Sequence, residues 1–376
     1  MKITFPHMSP VPVYKKLVEL LGHEPIVPPR PTQETIDLGV KYSPEFACFP
    51  LKVILGSYIE AIRMGAEMIL TSGGDGPCRA GYYAELHKRI LAKLGYNMDF
   101  IIFDSVFINF RDFMRKLKIL KGDLTAGEVV KVLKTVYRFS QSLDRSEKKL
   151  QIIRAYSLSS KDCDTAWDKI NKIYDKAYSY SDIDSAESRA SELIEGIPVF
   201  RVKEENKIRV GIVGEIYVVL ESSVNMEIEK VLGRLGAETE RSQYLSEWID
   251  RYMLPSFIRK AYKKDKLDKI EAKGEDFIKI NIGGHAKETV GFIKDFRDRG
   301  FDGVIHLMPF GCLPELVTQT IVPSITEKTG MPVLTMPIDE QTGNTNNITR
   351  IEAFIDLIKS KKFTAARTAG SASGSV

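Results

Sequence analysis

The sequence predicts an α/β protein with two Rossmann-like parallel-sheet domains and a helical insertion between them. In residues 1–104, short apolar strand-like runs alternate with amphipathic helical patterns, which is typical of parallel strands joined by crossover helices. Strand signals disappear in residues 105–200, where Lys, Leu, Ile and Ala recur at helical spacing. They return in residues 201–363. Residues 364–376 are rich in Ala, Ser, Thr and Gly, and we expect them to form a tail outside the fold.

In the first domain, apolar periodicity predicts four strands and four helices. The strands are expected over 3–5, 25–27, 67–71 and 100–103, and the helices over 13–21, 35–40, 51–64 and 82–94. The helix over 51–64 carries Val53, Tyr58 and Ile62 at helical spacing. In the insertion, Thr125 and Glu128 are spaced as a capping box.

In the second domain, the same reasoning predicts strands over 208–214, 236–239, 278–284, 303–307 and 332–336. Helices are expected over 223–235 and 348–359, the second of which closes the fold. Loops that follow the carboxyl ends of parallel strands are where ligands bind in such sheets. Residues directly after these strands are therefore the first candidates for a functional site.

Composition excludes several classes of protein. The 376 residues carry a formal net charge of +4, which is too weak to indicate a nucleic-acid partner. No apolar run approaches the roughly 20 residues that a membrane-spanning helix needs. The first residues are typical of a strand and not of a signal peptide, so we expect a cytoplasmic protein. Four cysteines without a secretory signal then favour thiols or metal ligands over a disulfide framework.

Three of the four cysteines lie in similar surroundings. Cys48, Cys78 and Cys312 each follow Gly, Pro or small residues and precede a predicted helix. Free N–H groups and the dipole at a helix N-terminus stabilise a thiolate, and three thiolates together suit a soft metal. Cys78 and Cys312 follow strands of different domains, so a cleft between the domains can bring them together.

Spacing alone leaves other interpretations open. The cysteines form no C-x₂-C or C-x₄-C pair, and free cysteines also pack as small apolar residues. Cys163 has no glycine loop or strand before it, and we expect a lone thiol. Gly74 and Gly76 precede Cys78 in a loop that lacks a P-loop or G-x-G-x-x-G pattern. We expect them to allow close backbone approach around the cysteine, with N–H groups available to cluster sulfurs.

Two polar residues are candidate proton-transfer groups. Glu215 follows the strand over 208–214 and is expected either to line the cleft or to cap a helix. His285 follows two glycines and is a candidate for a pocket. His306 lies within an apolar strand, which favours a hydrogen-bonded core residue instead. Glu340 follows the last strand and is a further candidate at the ligand edge.

Five segments carry a family resemblance. They are KYSPEFACFPLK (41–52), GGDGPCRAGYY (73–83), VGEIYV (213–218), HLMPFGCLPE (306–315) and DEQTG (339–343). With them, the chain resembles the acyl-CoA dehydratase activase-related proteins over about residues 1–362. These are relatives of the 2-hydroxyacyl-CoA dehydratase subunits and of the double-cubane cluster proteins.

The resemblance implies an oxygen-sensitive iron–sulfur cluster. It implies that Cys48, Cys78 and Cys312 hold a [4Fe-4S] cluster with one iron open to a small molecule. A double-cubane [8Fe-9S] cluster needs six cysteines, so it would be shared between two chains. Arg79 is expected to offset the charge of the cluster, and Gly74, Gly76 and Gly311 are expected to lie against it.

The resemblance also implies partners and a function. A separate ATP-hydrolysing iron–sulfur activase would supply low-potential electrons, and a homodimer or a related second subunit is expected. The chain has no ATPase motif of its own, so it resembles the electron acceptor, an enzyme that reduces a small-molecule substrate. Two alternatives remain, which are a 2-hydroxyacyl-CoA dehydratase subunit and a cluster carrier or scaffold without substrate chemistry.

Overall fold

The protein contains two four-stranded, all-parallel sheets, so the predicted α/β class is confirmed. The computed structural model describes residues 1–73, 78–103, 110–253, 256–262, 265–341 and 344–372. The first sheet has the order β2-β1-β3-β4, and the second has the order β6-β5-β7-β8. The strands are β1 (Lys2–Thr4), β2 (Glu24–Pro25), β3 (Met68–Ser72), β4 (Asp99–Phe103), β5 (Ile208–Gly214), β6 (Ala237–Arg241), β7 (Gly303–Pro309) and β8 (Val333–Ile338).

Sixteen α-helices are found in the described part of the chain. Four lie in the first half: α1 (Val11–Leu20), α2 (Gln33–Tyr42), α3 (Phe49–Arg63) and α4 (Tyr83–Lys93). The predicted insertion holds α5 (Phe110–Lys121), α6 (Ala126–Arg154), α7 (Ser160–Asp175) and α8 (Tyr180–Glu195). The second half holds α9 (Ile216–Leu220), α10 (Ile228–Arg234), α11 (Leu245–Met253), α12 (Ser256–Ala261), α13 (Lys266–Gly274), α14 (Ala286–Asp298), α15 (Leu313–Thr329) and α16 (Asn344–Ala372). No helix among the described residues is long and apolar enough to cross a bilayer.

The helical segment is built around one long helix. The capping box predicted at its start is present, because Thr125 Oγ1 accepts the Glu128 N–H at 3.3 Å and Glu128 Oε2 accepts the Thr125 N–H at 2.8 Å. Cys163 is completely buried in the core of this segment, together with Ile170 and Tyr174. Its thiol therefore packs as a small apolar side chain.

Three sequence predictions of secondary structure were wrong. Residues 278–284 form a loop and not a strand, and the chain turns at the end of this loop, where Gly283 and Gly284 adopt φ values of +80° and +57°. The helix predicted over 223–235 begins only at Ile228, after Met226 and Glu227 turn the chain with positive φ. Helix α16 does not end at residue 359 but continues through Ala372, in keeping with the alanines of this segment.

Each half contains a pair of helices that cross through glycines. In α2 and α3, a β-carbon at Gly39 would lie 1.8 Å from the Lys52 carbonyl oxygen, and one at Gly56 would lie 1.9 Å from the Thr35 carbonyl oxygen. Distances this short require the absence of a side chain. Both helices can therefore approach closely only because each carries a glycine at the crossing point.

The second half repeats this arrangement in α13 and α14. A β-carbon at Gly274 would lie 2.5 Å from the Lys287 carbonyl oxygen, and one at Gly291 would lie 2.0 Å from the Ile270 carbonyl oxygen. The two sets of residues differ by a constant 235 positions (274 minus 39 and 291 minus 56). The third strands, β3 and β7, begin at the same offset (303 minus 68). With the common strand order, this register, which is constant from the helix crossing to the third strand, makes the two halves structural repeats of each other.

The two repeats meet at the carboxyl ends of their sheets. The Phe49 N–H donates to the Phe310 carbonyl oxygen at 3.0 Å. The buried Lys52 ammonium pairs with Glu340 Oε1 at 3.0 Å, and His7 Nδ1 lies 3.0 Å from Glu221 Oε2. The junction is thus held by backbone and charged contacts around the loops that carry the cysteines.

Candidate metal centre

The three candidate cysteines all stand at helix N-termini, as the sequence predicted. Cys48 is the N-cap of α3 and Cys312 is the N-cap of α15. Cys78 is the N-cap of the 3₁₀-helix Arg79–Tyr82, which leads into α4. Cys78 and Cys312 follow β3 and β7, the third strands of their repeats, so both lie at the ligand edge. All four cysteines of the chain are free thiols.

The loops of Cys48 and Cys312 are in direct contact across the junction. The Cys48 thiol donates to the Gly311 carbonyl oxygen, with an Sγ–O distance of 3.3 Å. Gly311 has a φ of +72°, and a β-carbon there would lie 3.1 Å from the Ala47 carbonyl oxygen and 3.3 Å from Cys48 Cα. Gly311 therefore lets the two cysteine loops approach closely, which a residue with a side chain would prevent.

Arg79 connects all three cysteine loops. It directly follows Cys78, and its Nη1 donates to the Phe46 carbonyl oxygen at 3.2 Å in the Cys48 loop. Its Nη2 donates to the Gly311 carbonyl oxygen in the Cys312 loop. Sequence reasoning assigned this residue only a charge, whereas the structure gives its guanidinium a second role as a link between loops. The planar, multiply donating guanidinium group is suited to such bridging.

The thiols and Glu215 share one electrostatic neighbourhood. Burial raises the pKa of Cys78, and the charges of Glu215 and Cys48 raise it further. Burial also raises the pKa of Cys312 far above its ordinary value, helped by Glu315 and Glu215. The expected stabilisation of thiolates by helix N-termini is therefore outweighed at these two cysteines. A bound metal would reverse this balance and release protons from the thiols.

Glu215 caps a helix, which is one of its two predicted roles. Its Oε2 accepts the Val218 N–H at 3.2 Å and so caps α9. Burial raises the pKa of this carboxyl group, while the charge of His285 partly offsets the effect. The Glu215 carboxylate therefore caps α9 and also raises the pKa of Cys78 and Cys312 through its charge.

His285 is the N-cap of α14 and is held by a carboxylate. Its Nδ1 lies 3.0 Å from Oε2 of the buried Glu288, which leaves Nε2 for another partner. Burial alone would lower the pKa of His285. The hydrogen bond and charge of Glu288, together with the charges of Glu215 and Glu315, outweigh burial, so the pKa is raised above its ordinary value. The adjacent Gly284 places His285 near the thiols, since a β-carbon at Gly284 would lie 3.6 Å from Cys78 Sγ.

Three polar residues near the thiols were missed from the sequence. Burial, followed by the charges of Cys48 and Glu215, raises the pKa of Tyr83 well above its ordinary value. Glu288 orients His285, and Glu315 is completely buried one turn into α15. The spacing of Glu315, three residues after Cys312, was the available signal, but a helical carboxylate usually faces solvent.

His306 and Glu340 both have polar partners within the protein. His306 is a satisfied core residue as expected, since its Nε2 lies 2.8 Å from Glu315 Oε2 and its Nδ1 lies 3.2 Å from Thr335 Oγ1. Glu340 pairs with Lys52 at the junction of the two repeats. Gly74 and Gly76 lie outside the described residues.

In the part of the chain that the structure describes, no three His, Cys, Asp or Glu side chains are grouped closely enough to hold one metal ion. Cys48, Cys78 and Cys312 are free thiols at helix N-termini, and Arg79 joins their loops.

Comparisons with known proteins give no family for the chain. A scan against protein-family models matches none of them, and a search of curated proteins finds no significant match. The case for a function therefore rests on the residues of the chain and on their geometry.

Proposed function

We propose that the protein is an iron–sulfur protein whose cluster is held by Cys48, Cys78 and Cys312 at the junction of the two repeats, and that it reduces a small molecule. The observation that carries this proposal is the meeting of three cysteine loops from both repeats. Arg79 donates to a carbonyl group in each of the other two loops, and the Cys48 thiol donates to Gly311. Residues separated by more than 200 positions are brought together by these contacts.

The cluster would supply a transferable electron and one iron atom without a protein ligand. The residues of the chain would provide the surroundings that this chemistry needs. Arg79 holds the three loops together and places a positive charge beside the thiolates. His285, oriented by Glu288, holds a proton at the site, and Glu215 stabilises that charged imidazole.

Electrons would come from a separate ATP-hydrolysing iron–sulfur activase, and the protein would act with a second copy or a related subunit. Exposed apolar side chains next to the cysteines support a protein partner at this surface. Phe46 is 73% exposed and precedes Cys48 by two residues, Tyr82 is 74% exposed on the helix after Cys78, and Leu313 is 58% exposed directly after Cys312. Large exposed apolar groups of this kind are typical of protein interfaces.

The test is the iron and sulfide content of protein that is purified without oxygen. Wild-type protein should bind about four iron atoms per chain, as expected for one [4Fe-4S] cluster. Cys78→Ser should lose most of the iron, because a buried hydroxyl group is a poor ligand for it. Cys163→Ser is the matched control, since this thiol is buried in the helical segment and should be without effect on iron content.

Circular dichroism should show that both variants fold. Equal iron retention in the two variants, or an iron-free wild type, would contradict the proposal. Complete and rapid transfer of the iron to an apo-acceptor would instead support a carrier. Activity on an acyl-CoA with a copurifying subunit would support the dehydratase alternative.

A further inference from the structure

A small internal cavity lies beyond the end of β6 in the second repeat. Its volume is about 10 Å³, and a cavity of about 10 to 15 Å³ is the smallest that holds one water molecule. The segment that follows β6 lines it together with residues of α11, α13 and α14. Three of the lining residues have polar side chains that matter here, namely Ser242, Gln243 and Glu288.

Each of these three side chains carries a buried oxygen atom without a protein partner. Ser242 Oγ, Gln243 Oε1 and Glu288 Oε1 have no hydrogen-bond partner among the residues that the structure describes. The three residues are only 1%, 5% and 3% exposed, so bulk solvent cannot supply that partner. Buried polar atoms are almost always hydrogen-bonded to protein or to ordered water. Three unpaired oxygens around one cavity therefore indicate that a ligand occupies it.

The remaining polar atoms of Gln243 and Glu288 are already engaged. Gln243 Nε2 donates to the Gly214 carbonyl oxygen at 3.0 Å, which fixes the orientation of the amide and leaves Oε1 as an acceptor. Glu288 Oε2 lies 3.0 Å from His285 Nδ1, which leaves Oε1 as a second acceptor. The Ser242 hydroxyl group can donate. The site thus offers two acceptors and one donor.

We infer that the cavity is a binding site for one water molecule, which donates to Gln243 Oε1 and Glu288 Oε1 and accepts from Ser242 Oγ. A buried water typically makes about three hydrogen bonds, which is the number that these atoms provide. A divalent cation such as Ca²⁺ takes about six to eight oxygen ligands, so it would be left without most of its ligands here.

The charges around the cavity also favour a neutral ligand. Glu247 is the other carboxylate in the lining, and it is already paired with Lys148 at 2.8 Å and with Lys266 at 3.0 Å. The bound water would connect α14 to the segment after β6, and through Gln243 to the end of β5. It would hold the Glu288 carboxylate that orients His285. The site requires no bound cluster.

The test compares Ser242→Ala with Thr239→Val by urea unfolding of the purified protein. Each variant loses a buried hydroxyl group without a protein partner, but Thr239 is not among the residues that line the cavity. Ser242→Ala should raise the equilibrium constant for unfolding about fivefold, because the water loses one of its three partners. Thr239→Val is the matched control and should leave the constant unchanged or lower it, because a methyl group of the same shape replaces an unpaired hydroxyl group.

Ser242→Val extends the test by displacing the water. Valine places one methyl group where the hydroxyl group was and a second methyl group in the space of the water. Ser242→Val should therefore be less stable than Ser242→Ala, since the oxygens of Gln243 and Glu288 both lose their partner. Oxygen-17 magnetic relaxation dispersion counts long-lived buried waters, and this count should fall by one in Ser242→Val and stay the same in Thr239→Val.

The sign of the stability change separates a bound water from a dry cavity. In a dry cavity, removal of the unpaired Ser242 hydroxyl group would stabilise the protein, so Ser242→Ala as stable as the wild type or more stable would overturn the inference. An unchanged water count in a folded Ser242→Val would also overturn it. If Ser242→Val does not fold, Ser242→Ala and Thr239→Val still decide the question. Wild-type stability that differs between ammonium, potassium and sodium chloride at equal ionic strength would show that a monovalent cation occupies the site instead.

Discussion

The two repeats share a fold and differ in the chemistry that they contribute. Both have the same strand order, and both cross two helices through reciprocal glycines before the third strand. The first repeat contributes two thiols, Cys48 and Cys78, while the second contributes one thiol and the carboxylates around it. The repeated fold thus builds a nearly symmetric platform, and a few substitutions on one side make the site asymmetric.

A buried and a partly buried histidine show the same difference. In the first repeat, Nε2 of His87 lies 2.9 Å from the Leu51 carbonyl oxygen, and burial lowers the pKa of His87 to about 4. In the second, burial also opposes protonation of His285, but Glu288, Glu215 and Glu315 outweigh it and raise the pKa. Because the cost of burial acts on both rings, the neighbouring carboxylates decide which histidine carries a proton.

The largest loss of stability is expected from variants that disrupt the helix crossing in one repeat at a time. In Gly56→Ala and Gly291→Ala, the new methyl group would meet a carbonyl oxygen at about 2 Å, so the helices must move apart. We expect each variant to lower the free energy of unfolding by about 3 kcal/mol or more, the upper end for overpacked sites. Urea unfolding followed by circular dichroism measures the change.

Gly127→Ala provides the control for these variants. Gly127 lies in α6, and a β-carbon there would meet nothing within 4 Å. Alanine should therefore raise the free energy of unfolding by up to about 1 kcal/mol through helix propensity alone. Similar changes in Gly127→Ala and the two crossing variants would show that the crossings are not tight.

These glycines also explain which parts of the fold were predictable. The strands before Cys78 and Cys312 and the helices that begin after all three cysteines are local features, and apolar periodicity places them correctly. The alternating Ile278, Ile280 and Ile282 follow the same rule for a strand, yet they lie in a loop outside the four-stranded second sheet, because strand pairing depends on tertiary context that local alternation does not contain. The repeat was missed, although a comparison of the sequence with itself at an offset of 235 would have aligned the four crossing glycines.

The buried, neutral His87 of the first repeat should make the stability of the protein depend on pH. The unfolded chain binds a proton at His87 more tightly than the folded protein does, with pKa values of about 6.5 and about 4. Its contribution is therefore fully present above pH 6.5 and is lost as the pH falls toward 4. Between pH 7 and pH 5, this residue should reduce the free energy of unfolding by about 2 kcal/mol.

His87→Gln should make the curve of stability against pH flatter over that range. The amide can still donate to the Leu51 carbonyl oxygen, although loss of the ring contact with Tyr58 lowers stability at every pH. The measured quantity is the difference between wild-type and variant urea midpoints from pH 7 to pH 5. Parallel curves would mean that burial does not suppress protonation in the first repeat.

The site was less predictable than the fold, for a physical reason. Cysteines at helix starts are recognisable from neighbours in sequence, whereas Glu288 and Glu315 matter because of what covers them in space. Glu315 accepts a hydrogen bond from Thr289 Oγ1 and lies 2.8 Å from His306 Nε2, and neither residue belongs to its own helix. Burial of a helical carboxylate follows from tertiary packing and has no signature in local periodicity.

The smallest predicted effect tests the contact between the repeats at Gly311. Gly311 and Gly330 stand at the two ends of α15, and both have a φ of +72°. Alanine at either position should cost about 1 kcal/mol for the left-handed backbone. At Gly330 a β-carbon would meet nothing within 4 Å, but at Gly311 it would lie 3.1 Å from the Ala47 carbonyl oxygen and 3.3 Å from Cys48 Cα. Gly311→Ala should therefore lose about 1 kcal/mol more than Gly330→Ala. In the wild type, the Cys48 thiol donates to the Gly311 carbonyl oxygen. Gly311→Ala should disturb this contact and expose Cys48, so the metal-free variant should react faster with a thiol-labelling reagent at Cys48. Equal stabilities and equal labelling rates in the two variants would mean that the Cys48 and Cys312 loops do not depend on each other, and that the repeats position their thiols independently.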